Sequence, residues 1–264
     1  MSTWAIPLDV MLFELRRSFT VGRSALWFVL VAFPVGILTA VSMIARLRLG
    51  EEYTAALLEE RFGMAMYFLI PEVTCLLGLL LWATPAISTE VEGQTWVYLA
   101  MRSKGRISVL LGKYLTAVTW TLSAAITAVT LSCVAIGWEI GSNLWAVLCL
   151  LALLSCVAHA ALYVVIGAVF YRRTMIAAVT YTMVVEYFVS FIPALVNQIT
   201  INYRLRGILI QWKDWDTATT PAQAILGSDS IAMHMTVLAV MTILLLAFAT
   251  HRVQRTEYPT QQEG

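Results

Sequence analysis

Thr89–Lys113 reads TEVEGQTWVYLAMRSKGRISVLLGK. Two carboxylates, Glu90 and Glu92, open it, and Arg102, Lys104, Arg106 and Lys113 follow. An apolar run flanks it on each side, Gly63–Ile87 before and Ile107–Gly137 after. Each run exceeds the about 20 residues that a helix needs to cross roughly 30 Å of hydrocarbon. The stretch is therefore a charged connection between two membrane spans. The fold follows from finding the others.

Four further runs pass the same test: Ala25–Ala45, Leu144–Phe170, Met175–Val196 and Ile231–Thr250. Composition agrees. Of 264 residues, 12% are charged and 60% hydrophobic, and a soluble domain carries about 25% charged residues. The expected fold class is an all-α polytopic membrane protein, a single six-helix domain over residues 1–264 with no room for a separate soluble one. Pro34, Pro71, Pro85 and Pro193 fall within or near the spans, where neighbouring helices can satisfy the freed carbonyls. No cleaved leader is expected, because the first 24 residues hold Asp9, Glu14 and three arginines.

Six spans put both termini on one side. Lys and Arg number 11 in the N-terminal segment, the second and fourth connections and the tail, against 6 in the other connections. The positive-inside rule makes the first set cytoplasmic. Net charge is +1, which gives no electrostatic case for nucleic acid. The four cysteines, Cys75, Cys133, Cys149 and Cys156, lie in apolar runs without CxxC spacing and read as small buried hydrophobes. The 11 methionines are scattered with no M-x-x-M cluster, so no metal site is expected.

Near the N-terminus, Leu8, Met11, Leu12, Leu15 and Phe19 recur at helical spacing. That pattern predicts an amphipathic helix in the membrane interface. The longest outer connection is Asn197–Ser230, with Trp212 and Trp215 suited to the interface. Asn197 and Gln198 are expected to face an outer vestibule.

The opening stretch itself predicts a short surface helix. Ser88 or Thr89 can cap it, Glu90 and Glu92 favour the positive end of its dipole, and Trp96, Leu99 and Met101 give it an apolar face. It would present charge and an aromatic ring, with Gly105 and Arg106 breaking the chain after it. Glu90-x-Glu92-Gly93-x-Thr95, an apolar turn, a basic patch and Leu110-Leu111-Gly112-Lys113 come in an order that resembles the signature of ABC-2 type transporter permeases. Ser103 stands where many members carry Pro, and Gln94 is not the usual small residue. Thr220-Pro221-Ala222-Gln223-Ala224-Ile225 is a weaker echo of a second family segment.

The resemblance implies a transport subunit without its own motor. The chain has no G-x-x-x-x-G-K-[ST] loop, so ATP and Mg are expected in a separate nucleotide-binding ATPase subunit, and this chain is not itself an enzyme. The implied assembly is two permeases, alike or related, with two ATPase subunits in the inner membrane. Glu90, Glu92, Gly93, Thr95, Trp96 and Leu99 would form the coupling helix that docks on the ATPase, with Arg172 and Arg173 as a second, smaller contact. The implied activity is export of a hydrophobic or amphipathic substrate.

Glu72, His159 and Glu186 fall well inside spans. A charge at that depth costs a few kcal/mol or more. With Tyr187 they either line a translocation path or hold the bundle together through hydrogen bonds. Tyr163, Tyr181, Phe188 and Phe191 either line the same path or pack between helices. Two alternatives stand beside the permease: a scaffold that transmits force in an ABC-type complex without transport, and a motor-free, ion-coupled carrier using Glu186.

Overall fold

A computed structural model describes residues 5–49, 55–96, 98, 101, 105–189, 195–213 and 229–258. Among these residues there are helices and turns and no strand. Helix α1 spans Ala5–Ser18 and α2 Val21–Leu49. The next rod is segmented into α3 (Ala55–Tyr67), a π-helical stretch Phe68–Thr74, α4 (Cys75–Trp82), a 3-10 turn Thr84–Ala86 and α5 (Ser88–Glu92). Then come α6 (Gly105–Ile136) and α7 (Trp138–Val169). Helix α8 (Thr174–Tyr181) runs into a second π-helical stretch, Thr182–Val189. Helix α9 covers Ile201–Lys213 and α10 covers Ile231–Arg255.

Five of these segments are long and apolar enough to cross a membrane: Val21–Ala45, Leu58–Glu92, Gly105–Ile136, Trp138–Val169 and Ile231–Arg255. The chain is thus all-α, with the character of a membrane-embedded protein. Of the expected span Met175–Val196, the described part is helical, α over Thr174–Tyr181 and π over Thr182–Val189; residues 190–194 lie outside the described residues.

The bundle is built around α7. Its most apolar window is 67% buried, against 11% for α10, so α7 is the core and α10 turns most of its apolar surface outward. Helices α6, α9, α10 and the segmented rod all pack on α7. The α6–α7 hairpin turns on one residue, Gly137, at φ 121°. That backbone conformation favours glycine. Gly141, one turn on, lets the two helices close: a Cβ there would lie 2.5 Å from the Cys133 carbonyl oxygen.

The first π-helical stretch has a local cause. Pro71 offers no N–H and crowds the preceding turn. The ladder widens, and the Cys75 N–H bonds to the Ile70 carbonyl, five residues back. The Pro71 carbonyl is left to accept the Ser155 hydroxyl of α7 at 2.7 Å. A proline in mid-span thus becomes a joint between two helices. Pro34, by contrast, lies within a continuous α2.

Residues near both ends of the chain meet at one end of the bundle. Val10 of α1 lies on Gly112 of α6, and Arg106 donates to the Gln254 carbonyl at 2.8 Å. The opposite, far end holds the α6–α7 hairpin. Helix α9 falls in what the sequence suggests is an open outer connection. It is instead a mostly buried helix packed between α7 and α10, because Ile201, Leu205, Ile208 and Leu209 supply an apolar face. Asn197 is also buried and accepts from the Thr200 hydroxyl through its carbonyl at 2.8 Å; it does not face a vestibule. Trp215 and the segment Thr220–Ile225 lie outside the described residues.

Replacing Gly141 by valine forces its side chain into the Cys133 backbone. Overpacking of this kind costs about 1–3 kcal/mol, so Gly141→Val should melt clearly below wild type in detergent, and an unchanged melting temperature would contradict the close α6–α7 crossing.

Candidate functional site

The charged residues that the sequence places within spans converge. His159 on α7 is fully buried, and Glu72 and Glu186 are each 1% exposed. Glu186 projects from the second π-helical stretch, and its Oε1 and Oε2 accept the backbone N–H groups of Ile201 at 3.4 Å and Asn202 at 3.1 Å. The first N–H groups of any helix have no partner within it. Here a carboxylate from another segment supplies one, and the positive end of the α9 dipole stabilises its charge. Asn202 returns the contact, donating through Nδ2 to the Glu186 carbonyl at 3.4 Å.

His159 faces the other side of Glu186. Its Nδ1 lies 3.0 Å from the Ser155 carbonyl oxygen and 3.1 Å from the Ser155 hydroxyl. A carbonyl only accepts, so Nδ1 carries a hydrogen. Nε2 then points at Glu186 Oε2 across 3.7 Å. The two side chains thus face each other in the interior of the bundle.

Glu72 lies on the first π-helical stretch, where it accepts from Arg206 Nε of α9. Tyr67, one turn earlier, donates to the Asn202 carbonyl at 3.4 Å. Tyr163 on α7 shares a 2.7 Å bond with the Thr182 hydroxyl. Tyr187 is half-buried and packs on the apolar core next to Glu186. Both π-helical stretches, the middle of α7 and the start of α9 thus share one buried polar junction. Further out, Lys213 of α9 pairs with Glu59 at 2.7 Å, and Arg204 pairs with Asp229 at 2.9 Å. Among the described residues, no group of three His, Cys, Asp or Glu could hold a metal ion.

A second cluster lies at the end where the chain termini meet. Glu90 pairs with Lys113 and accepts the Thr95 hydroxyl, and Lys113 also donates to the Thr89 hydroxyl at 3.2 Å. The expected surface helix is interrupted, with helical residues again at Trp96 and Tyr98. Helix α5 ends at Glu92, and Gln94 turns the chain at φ 57°. The break falls at Gly93–Gln94, whereas Gly105 and Arg106 start α6. Ser88 and Thr89 do not cap; their hydroxyls donate backwards to the Pro85 carbonyl, Thr89 at 2.8 Å. Glu92, Gly93 and Thr95 are exposed.

Trp96 is not presented outward. It is 3% exposed and meets the Tyr258 ring edge-on at 5.1 Å. The exposed ring is Tyr98, 74% exposed. Leu99, Arg102 and Lys104 lie outside the described residues. Tyr171 packs on the other edge of Tyr258 at 5.0 Å, and the Arg172 guanidinium lies 5.7 Å from the Tyr171 ring. Arg172 and Arg173 are exposed. Tyr258 donates to the Ala168 carbonyl at 2.9 Å. Burial pushes its hydroxyl up to about 12, so the donor hydrogen is held at all physiological pH. Its stabilising effect is complete below about pH 10 and fades as pH rises through the folded value.

The sequence names Glu72, His159 and Glu186 but misses their partners Asn202 and Arg206, which look like loop residues in INYRLRG. It also misses Tyr258, a lone aromatic in a polar tail.

Glu186→Leu leaves two N–H groups of α9 without an acceptor, at about 1–3 kcal/mol each. Hydrogen exchange at residues 201–205 should accelerate strongly in Glu186→Leu and less in Glu186→Gln, which keeps one acceptor. Equal protection in all three proteins would contradict the capping role.

No family model matches this sequence, and no curated protein matches it either.

Proposed function

We propose that this chain is the membrane-spanning permease subunit of an ATP-binding cassette exporter of the ABC-2 type. A separate ATPase subunit, binding ATP and Mg, drives it. The substrate class is hydrophobic or amphipathic, in keeping with a bundle whose largest surfaces are apolar. In this reading α8 with its π-helical extension is a sixth crossing, and α1 lies in the interface. Both termini are cytoplasmic in the inner membrane, and a second permease copy completes the path.

The observation that carries the proposal is the aromatic rivet at the termini end. The Glu90–Met101 segment and the Arg172–Thr174 turn, which Tyr171 precedes, are the two connections that the resemblance marks as motor contacts. Tyr258 packs between Trp96 and Tyr171, so the two connections move as one piece. Glu92, Tyr98, Arg172 and Arg173 remain exposed around it. A motor that pulls on one connection thereby pulls on both, and α7 carries the load from Ala168 inward to His159. Bistable packing of this kind converts a small contact change into a helix rearrangement.

The buried Glu186–His159 pair favours a second reading, a motor-free, ion-coupled carrier using Glu186. The two readings separate on ATP. The protein should copurify with a nucleotide-binding subunit in mild detergent, and that complex should hydrolyse ATP. Glu92→Ala, which removes an exposed carboxylate, should weaken docking or lower coupled hydrolysis severalfold. Glu90→Ala should do at least as much, since it also releases Lys113. Absence of any ATPase partner, with transport that follows a proton gradient and fails in Glu186→Gln, would replace the permease by the carrier.

A further inference from the structure

We propose a binding site for one anionic phospholipid in the corner formed by α1, α2 and α6. Two cavities adjoin there. One, of about 170 Å³, is lined by Glu14, Arg23, Thr89, Lys113, Thr116 and Trp120 among others. The other, of about 480 Å³, is lined by Leu15, Phe19, Trp27, Phe28, Thr119 and Trp120 among others. The first mixes apolar groups with the charged residues Arg23, Lys113 and Glu14; the second is almost wholly apolar and within the usual size of a small-molecule pocket. A ligand filling both has a compact anionic head and an apolar tail.

Three observations point to such an occupant. The first is Arg23. Its Nη1 donates to the Ser18 hydroxyl, a neutral partner, and no carboxylate pairs with it among the described residues. A guanidinium has five donors, so most of its capacity remains for a phosphodiester, which it binds strongly. The second is Trp120. It forms the wall common to both cavities and is 8% exposed. Its indole N–H finds no acceptor among the described residues, although the ring is fixed between Phe19 at 5.1 Å and Trp82 at 5.8 Å. That N–H is covered by protein, so the face of the ring is what Trp120 offers to the junction of head and tail. The third is the tail groove itself. Phe19 and Phe28 stay 72% and 65% exposed along a groove whose tryptophan, Trp27, has its own N–H bonded to Ser123 at 3.0 Å. These walls suit an acyl chain, and tryptophan is enriched at the depth where heads meet chains.

The charge balance selects the head. Arg23 and Lys113 face the first cavity against Glu14 alone, and Lys113 also holds Glu90. A zwitterionic head would bring its own cation beside Arg23 and Lys113; an anionic head without one does not. Basic side chains near the membrane surface attract anionic lipid.

The test is native mass spectrometry of the full chain in mild detergent, titrated with phosphatidylglycerol or with phosphatidylcholine of identical chains. One phosphatidylglycerol should be retained at a lipid concentration about tenfold lower than phosphatidylcholine needs, a comparison that requires no variant. Arg23→Gln should abolish the preference, and Thr119→Trp, which fills the tail groove from an exposed position, should weaken both lipids. Arg252→Gln, removing an exposed cation elsewhere at the same end, should change nothing. Inorganic phosphate at matched concentration should not displace the lipid. Equal retention of the two lipids would overturn the proposal. So would loss of preference in Arg252→Gln as large as in Arg23→Gln, wild-type binding by Thr119→Trp, or displacement by free phosphate.

Discussion

The carboxylate of Glu186 ends on the first two N–H groups of α9, deep among other helices. A helix start away from water leaves unpaired donors, each costly in an apolar medium. A carboxylate in the same surroundings is costly as well. Each group answers the other's need, and neither position is tolerable alone. The path of the chain around them follows. The segment that carries Glu186 is π-helical over Thr182–Val189, and α9 starts inside the bundle. From there it runs outward to the Lys213–Glu59 pair at the far end.

The same junction explains two irregular helices. Pro71 widens the rod before α4 and frees its own carbonyl for Ser155. Ser155 in turn abuts His159, which faces Glu186. The Pro71 defect, the histidine and the capped helix are therefore linked in a single chain of contacts. Breaks in the regular ladder occur where side chains must reach a shared point. At the opposite end the logic is apolar. Tyr258 draws two loops and the tail together through ring edges and one hydrogen bond. The bundle thus has a polar lock inside and an aromatic rivet at one end, with α7 running through both.

How much of this is legible in the sequence depends on range. Apolar run length locates the five long crossings to within a few residues, because the bilayer fixes helix length. It misses α9 altogether. Asn202, Arg204 and Arg206 make that segment look exposed, and only their partners, the buried Glu186 and Glu72 and the half-buried Asp229, reverse the sign. Glu72, His159 and Glu186 are conspicuous as lone charges in apolar runs, but their meeting is tertiary. Near Glu90, charge order suggests a surface element, yet Trp96 turns inward because Tyr258, more than 150 residues away, offers it a ring. The left-handed turn at Gln94 gives no local warning, as glutamine rarely adopts it.

The proposal that this bundle is driven by an external ATPase meets its most direct test at Tyr98 and Arg172. A photocrosslinking amino acid at each exposed position, one at a time, would be activated in native membranes. The account predicts that both positions capture the same nucleotide-binding subunit and that a third probe at exposed Phe248, on the outward face of α10, does not. Capture of no ATPase at either position, in membranes where the protein is active, would contradict it.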